Sequence, residues 1–377
     1  MAVSLRPCLG ALAVVALGAL TQPRSPAVAQ VGPPPPPPPA RPAAARLPLN
    51  GDQQPPPPPV ADLTPPEFVQ PPLPPTTITC DGCRACDSPA AWLFSAEYLL
   101  VRPRRRADDF AIVDPLDNLT PEGDIRSVGY DLSSGLRAGV GYRMAGTPWE
   151  EWFTYTYLHA GGDRTAIAPP GGLIYPTLTR PGLVDTADAA VARNSLNYNL
   201  YDLDAVRRVA GDESLALRLG FGFRYASIDQ TQSASYFGRD ANAAAVNSRV
   251  SFDGAGPTVL GEGRWLMPWG LSTFGRVRGG LIVGDTTNSL RETDNGGTTV
   301  SANVREHYYT TIPVLEMATG VAWEYRNVRI AAGYEVTNWF NMVDSPTFVN
   351  DFAEGKLGRR RGDLSLEGLF LQLGVTY

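Results

Sequence analysis

The last nine residues of the chain, Leu369 to Tyr377, alternate between two kinds of side chain and end on an aromatic residue. The apolar set is Leu369, Leu371, Leu373, Val375 and Tyr377, and the residues between them are mostly polar or small. A repeat of two places successive side chains on opposite faces of a β-strand. About 9–11 residues is also the length of a tilted strand that crosses a membrane. The segment therefore predicts a membrane-crossing strand at the C-terminus.

The N-terminus predicts export. Arg6 precedes an apolar run from Cys8 to Leu20, and Ala27-Val28-Ala29 supplies a cleavage site with small residues, so residues 1–29 are expected to be a signal peptide. No later stretch reaches the roughly 18 apolar residues of a transmembrane helix, which excludes a helical membrane protein. Loss of Arg6 and Arg24 changes the net charge from −6 to −8, which disfavours a nucleic-acid partner.

Residues 30–79 are rich in proline, with uninterrupted runs at 33–39 and 55–59. Such a segment cannot bury a core, and we expect a disordered periplasmic extension of polyproline character. At about 3.1 Å per residue it could reach on the order of 150 Å. Two interpretations stay open: a bridge to the cell wall, or a tail without a role.

Residues 80–89 form a short linker that contains Cys80, Cys83 and Cys86. Export from the cytosol favours a disulfide between two of them, with the third left for a bond to a partner. Zinc would need a fourth ligand, for which only Asp81 or Asp87 is near. An iron–sulfur cluster is disfavoured for a chain exported unfolded, and the cysteines could also have no role. We therefore predict no metal site and no cofactor.

Short alternating segments recur through residues 90–377, which we predict to be one barrel domain. The ten segments are 91–102, 134–144, 150–159, 197–209, 214–228, 252–265, 271–284, 311–325, 328–337 and 366–377. The connections alternate without exception between two to five residues and 20 residues or more. This is typical of an antiparallel up-and-down transmembrane β-barrel with short periplasmic turns, long extracellular loops and both termini in the periplasm. Twelve strands result if 103–133 or 160–196 hides a hairpin.

Aromatic residues support this topology. Six of the seven tryptophans fall near the short turns or at the start of the first strand, on the same side as Tyr377. The predicted periplasmic aromatic girdle is Trp92, Trp149, Trp152, Trp265, Trp269, Trp323 and Tyr377. Such clustering at one rim is expected where a barrel meets the membrane interface.

The chain resembles the Legionella-type family of pore-forming outer-membrane proteins, the major outer membrane porins. The resemblance lies in Leu217–Gln232 ("LRLGFGFRYASIDQTQ"), Phe252–Trp265 ("FDGAGPTVLGEGRW"), Val314–Gly320 and the closing strand. It implies an outer-membrane β-barrel with channel activity and no catalytic residues. The closing strand, which ends in an aromatic residue, is similar to the C-terminal signal of outer-membrane barrels, and this implies the barrel assembly machinery as a partner. The proline tract and the cysteines depart from the family pattern.

The alternation also predicts which charged residues face the lumen. They are Glu97, Arg137, Arg143, Asp202, Asp204, Arg218, Arg224, Glu262, Arg264, Arg276, Arg278, Glu316, Glu324, Arg329 and Glu335. In a wide barrel they would line a porin-like channel for passive diffusion of small polar solutes. In a narrow barrel they would pair across the lumen and fill it, since eight strands enclose little more than side chains. The protein would then be a non-conducting structural barrel that anchors the envelope through its extension.

Two clusters of arginine are candidates for an anion-binding surface. The triplets Arg104–Arg106 and Arg359–Arg361 flank the first and last strands, so barrel closure should bring them together at the outer rim. They could bind phosphates of lipopolysaccharide in the surrounding membrane lipid, or be ordinary solvated charges.

His159 and His307 are the only candidates for acid–base catalysis. Because a lone histidine near a rim is usually a girdle or loop residue, we predict that the protein is not an enzyme.

Overall fold

The computed structural model describes residues 89–118, 120–211, 214–349 and 356–377. The signal peptide, the proline-rich extension and the three linker cysteines lie outside the described residues, so their assignments stay predictions. Among the described residues, no helix is long and apolar enough to cross a membrane.

Ten antiparallel strands form a closed ring within the described residues, and three short strands between them, numbered β2, β3 and β6 in chain order, form a separate sheet. The bounds of the ring strands are β1 (Ala91–Arg105), β4 (Ser133–Arg143), β5 (Trp149–Ile167), β7 (Ala189–Gly211), β8 (Leu215–Gly238), β9 (Ala241–Leu266), β10 (Leu271–Asp294), β11 (Thr299–Tyr325), β12 (Val328–Phe348) and β13 (Leu357–Thr376). Each strand pairs with its neighbours in the order given, and β13 returns to β1. The predicted ten-stranded up-and-down barrel is confirmed, and each predicted segment lies on one of these strands to within a residue or two.

The first and last strands close the barrel. Leu93 pairs with Thr376 and Arg105 with Leu364, without a register shift between them. The seam is completed by Trp92 and Tyr377, each of which donates its backbone N–H to the carbonyl of the other at 2.8 Å. A closed ring leaves no strand edge unpaired, which a strand in lipid requires. The C-terminal strand therefore closes the barrel by pairing with the first strand.

The two ends of the barrel differ. The terminal end contains Trp92, Tyr377 and the short turns, whereas at the extended end several strands run far beyond the predicted bounds. The predicted long connections at 229–251 and 285–310 are mostly strand, and turns remain only near Gly238–Ala241 and Asp294–Thr299. These strand extensions are not predicted from the sequence because the apolar residues change from the outer to the inner face there, which interrupts the alternation.

Three further strands form a separate sheet: β2 (Asp109–Asp114), β3 (Asp124–Ser127) and β6 (Leu173–Pro176), in the order β3-β2-β6. They come from the connections 103–133 and 160–196, so these segments add no strand to the barrel and the count stays ten. Phe110 and Ile174 of this sheet are fully buried, and the Tyr236 hydroxyl of β8 donates to the Phe110 carbonyl at 2.6 Å. The sheet therefore packs on the inner face of the extended end.

An apolar belt covers the outside near the terminal end. Leu219, Phe221 and Phe223 on β8 are 53–59% exposed, and Leu369 and Leu371 on β13 are 57% and 54% exposed. The alternate residues of the same strands face inward. A band of exposed apolar side chains around a closed barrel is the surface that lipid covers, about 25 Å tall in outer-membrane barrels.

Candidate functional site in the barrel interior

The interior within the belt contains a dense set of paired charges. Fourteen of the fifteen charged residues predicted to face the lumen line one internal cavity of about 320 Å³, and the remaining one, Glu335, pairs with Arg137 beside it. Asn327, Val328 and Thr376 of the terminal end also line the cavity. The strands supply these residues because every second position points inward.

We call the inner group the deep cluster; it comprises Glu97, Arg137, Asp202, Asp204, Arg224, Arg276, Arg278, Glu316 and Glu335. Arg137 of β4 contacts Glu97 of β1 at 2.6 Å and Glu335 of β12 at 2.9 Å. Arg224 of β8 contacts Asp202 of β7 and Glu316 of β11, both at 2.6 Å. Arg137–Glu97 and Arg224–Asp202 join neighbouring strands, whereas other pairs of the cluster cross the lumen between strands three or four places apart in the ring, as does Arg276–Glu97 at 3.6 Å.

Arg224 shows why these residue types are needed. Its side chain is 2% exposed, and its Nε and Nη2 donate to the two Asp202 oxygens at 2.6 and 2.9 Å. Its Nη1 donates to Glu316 Oε1 at 2.6 Å. A planar guanidinium can satisfy two carboxylates through separate edges, which a lysine ammonium cannot do. The charge is thereby compensated where water is excluded.

Nearer the terminal end lies a second group, the mouth cluster: Arg143, Glu150, Arg208, Arg218, Glu262, Arg264, Glu324, Arg326 and Arg329. Glu150 contacts Arg143 at 2.9 Å and also Arg218. Arg264 contacts Glu262 at 2.5 Å and Glu324 at 2.9 Å. Glu262 also lies 3.8 Å from Arg218, so each glutamate is shared by two arginines. The six arginines of the cluster outnumber its three glutamates.

Above the deep cluster, toward the extended end, an apolar layer closes the lumen. Trp339 of β12 donates its Nε1 to the Tyr198 hydroxyl of β7 at 3.1 Å, and the two rings meet edge to face. These strands are five places apart in a ring of ten, so the contact spans the full lumen. Leu196, Ile228 and Phe252 in the same apolar cluster are 0% exposed.

A buried polar layer follows beyond the apolar one. Arg105 is buried and contacts Ser345 at 3.2 Å, Gln232 at 3.5 Å and Asp108 at 3.5 Å. Burial raises the pKa of the Asp108 carboxyl to about 7, although Arg105 acts in the opposite direction. The interior therefore contains charge on both sides of the apolar layer.

The aromatic residues at the terminal end do not all face outward. Trp92, Trp265, Trp269, Trp323 and Tyr377 are exposed, and Trp149 is partly exposed. Trp152 differs from the prediction: it lines the cavity, and its Nε1 donates to Glu150 at 3.4 Å. The assignment of Trp152 to the girdle is wrong because it has the inward parity of Glu150 on β5, whereas Phe153 points outward.

The two histidines lie on the outside of the barrel, on β5 and β11. His159 Nδ1 is 2.7 Å from Asn197 Oδ1, and His307 Nε2 is 3.3 Å from Asp285 Oδ1. These strands are five places apart in the ring, so the histidines do not form one site. Among the described residues, no group of three or more His, Cys, Asp or Glu side chains could hold a metal ion.

The arginine triplets meet at the seam but do not form one basic surface. Arg106 donates its backbone N–H to the Asp363 carbonyl at 3.4 Å, which places the two segments side by side. Arg105 points into the barrel, and Arg360 contacts Asp109 of β2. On a strand the middle residue of a triplet takes the opposite face from its neighbours. Arg104 and Arg359 are exposed but pair with Glu367 and Glu306.

Several residues of this interior do not follow from the sequence pattern. Glu150 and Arg208 line the cavity, and Glu150 bridges Arg143 and Arg218. Because two glutamates are adjacent, the residue types alone do not show which of Glu150 and Glu151 points inward. The polar residues Thr154 and Thr156 share the face of Glu150 on the same strand and indicate that Glu150 does. Arg208 lies near the end of β7, where the alternation is weak.

The fold and its apolar belt define an integral β-barrel of the bacterial outer membrane. More particularly, the chain belongs to the family described as the Legionella pneumophila major outer membrane protein precursor, whose family model matches residues 85–377. No curated protein matches the chain.

Several solved structures share the barrel form at low similarity. The outer membrane protease OmpT from Escherichia coli has 10% identity and a TM-score of 0.47, over 76% of this chain and 96% of OmpT. Ail, the attachment invasion locus protein of Yersinia pestis, has 10% identity and a TM-score of 0.22, over 77% and 100%. A FadL homologue of Pseudomonas aeruginosa has 7% identity and a TM-score of 0.23, over 76% and 90%. These similarities carry no argument about activity.

Proposed function

We propose that the protein is a structural, non-enzymatic barrel of the outer membrane that does not conduct in its resting conformation. The observation that carries this proposal is the contact between Trp339 and Tyr198, which joins opposite walls at 3.1 Å. A passive pore needs a continuous aqueous path, and a layer of fully buried apolar side chains offers none. The paired charges below the layer support the same role, since they fill a narrow barrel instead of lining a wide one.

Planar-bilayer recording of the refolded full-length protein tests closure. The wild type should give no discrete conductance steps. Trp339→Ala removes the side chain that spans the lumen and should give small ohmic steps. Trp269→Ala, in an exposed turn at the terminal end, is the matched control and should stay silent. Discrete steps in the wild type at low voltage would overturn the proposal.

The second candidate is a porin-like channel for passive diffusion of small polar solutes that opens only when the apolar layer moves. It is favoured by the charged cavity that extends to the terminal end. Liposome swelling with small sugars and amino acids distinguishes the two functions. Uptake by the wild type that rises further in Trp339→Ala would establish a gated channel, whereas no uptake by the wild type would favour the structural barrel.

The orientation and partners of the barrel are also part of the proposal. The terminal end faces the periplasm, where the proline-rich extension could reach the cell wall, and the aromatic-ended closing strand engages the barrel assembly machinery. A protease site inserted at the exposed turn Asn295–Gly297 should be cut on intact cells, because that turn lies at the extended end. Protection of that site in intact cells, with cleavage only after lysis, would reverse the orientation.

Lipopolysaccharide remains a proposed partner, but the proposed binding surface contains fewer arginines than the two triplets together. Arg102, Arg104 and Arg106 all have the outward parity of β1, just beyond the apolar belt, whereas Arg105 does not. Replacing Arg102 and Arg106 with glutamine should weaken co-purification of lipopolysaccharide, and replacing Arg249 on β9 should not. Unchanged lipopolysaccharide content in the double variant would refute this contact.

A further inference from the structure

The mouth cluster holds more positive than negative charge. Six arginines of this cluster and three glutamates line the cavity near the terminal end. The deep cluster has the opposite balance, with four arginines and five carboxylates in contact with one another. The described side chains therefore separate charge along the barrel axis, positive at the mouth and slightly negative below the apolar layer.

Several N–H groups of the mouth cluster lack a partner of their own. Arg208 lines the cavity, is exposed to solvent, and makes no ion pair among the described residues. Arg329 shares Glu324 with Arg264 and reaches it only at 3.3 Å, and its Nη2 has no hydrogen-bond partner. The face of Arg329 lies against the Phe274 ring, 5.1 Å from its centroid, so its free edge is held in one orientation.

We propose that this cavity is a binding pocket for a small oxyanion, with inorganic phosphate as the probe. Guanidinium groups hold phosphate and carboxylate oxygens through paired N–H donors, and low-dielectric walls strengthen that attraction. A cavity of about 320 Å³ accommodates such an ion together with water. Arg208 and Arg329 supply the free donors, while Glu150, Glu262 and Glu324 hold Arg143, Arg218 and Arg264 in place.

The apolar layer gives the pocket its direction. An anion that enters at the terminal end reaches the mouth cluster first, and the deep cluster with its excess of carboxylates lies beyond it. Binding would therefore occur at the mouth of a cavity that is closed at its far end, and not along a transit path. Anion binding does not require that the lumen be closed. Bilayer conductance and phosphate binding are separate measurements, so the structural role and the anion pocket can each fail alone.

Isothermal titration of the detergent-solubilised barrel with phosphate at low ionic strength tests the pocket. Wild type should bind saturably. Arg208→Gln should weaken binding at least threefold, and Arg208→Gln with Arg329→Gln at least tenfold. Glu324→Gln should tighten binding, because it removes an anion that competes for Arg264 and Arg329. Arg249→Gln, on the outer face at the extended end, should bind like wild type.

Two results would overturn the proposal. One is the absence of saturable phosphate binding by wild type; the other is equal binding by wild type and the double variant. Heat-modifiable migration of each variant in SDS gels shows that the barrel is folded. If the double variant does not fold, the opposite shifts expected for Arg208→Gln and Glu324→Gln decide the question, since a shift in the same direction for both would also contradict an electrostatic pocket.

Discussion

The belt half and the extended half of the barrel are built from the same strands with inverted surfaces. On β8, Leu219 and Phe223 point outward and are more than half exposed, whereas Ile228 and Tyr236 point inward and are fully buried. The β8–β9 pairing runs without a register shift from Leu215 to Tyr236, so the strand itself does not rotate. Apolar residues change face because the surrounding medium changes from lipid to water. The face of a strand that carries the apolar residues thus indicates whether lipid or water surrounds that part of the barrel.

The same contrast holds for charge. In the belt half, charged side chains are buried inside and compensated by several partners, as around Arg224. In the extended half, most ion pairs are at the surface, such as that between Arg249 and Asp229, in which the arginine side chain is 57% exposed. Buried pairs are costly to break from one side, whereas exposed pairs contribute little. The two halves should therefore respond differently to the same kind of substitution.

The largest effect is expected at the deep cluster. Arg224→Gln removes the closer of the two arginines that Asp202 and Glu316 share and leaves them only Arg278, at 3.1 and 3.7 Å. Breaking this buried network from one side should cost about 3–5 kcal/mol of unfolding free energy. Urea unfolding from lipid vesicles, followed by tryptophan fluorescence, measures this loss. The double variant with Asp202→Asn should recover part of it. A loss below about 1 kcal/mol would mean that the interior is hydrated like a surface.

The outer face gives the next largest difference. Leu219→Arg places a charge in lipid and should cost about 2–4 kcal/mol near the midplane. Thr231→Arg has the same outward parity on β8 but lies in the extended half, and it should stay within about 0.5 kcal/mol of wild type. The same vesicle assay applies to both variants. Equal costs would place the membrane boundary beyond Thr231 and remove the inversion described above.

The sequence predicts the belt half well and the extended half poorly. Ten strands, the seam between β1 and β13, and the inward parity of residues such as Arg218 and Arg224 follow from alternation against an apolar outer face. In the extended half the outer face of β8 is polar, and its inner face mixes Ile228 and Tyr236 with Gln230 and Gln232, so Ala226–Tyr236 gives only a weak and inverted alternation. The apolar layer was missed for a further reason: the Trp339–Tyr198 contact joins strands that are distant in the chain, and parity alone cannot show that two inward side chains meet.

A smaller effect is expected from Asp108, which is buried near Arg105, Arg360, Asp109 and Asn194 in the extended half. Burial raises its pKa from 3.8 to about 7. The folded state then binds more protons than the unfolded state between those values, so stability falls as the pH rises through this range. The expected loss is about 1–3 kcal/mol. Asp108→Asn should remove this part of the pH dependence, which urea titrations at pH 4, 5.5 and 7.5 would measure; an unchanged slope would contradict it.

The smallest effect is expected at an exposed pair of the extended half. Arg359 donates to Glu306 at 2.8 Å, but both side chains are more than a third exposed. The hydrogen bond from Arg359 lowers the pKa of Glu306, so any contribution is present near neutral pH and disappears as acid protonates the carboxylate. Arg359→Gln should cost less than about 1 kcal/mol, and less still in high salt. A cost equal to that of Arg224→Gln would show that the extended half holds its charges as tightly as the belt half. The inversion would then concern apolar residues alone.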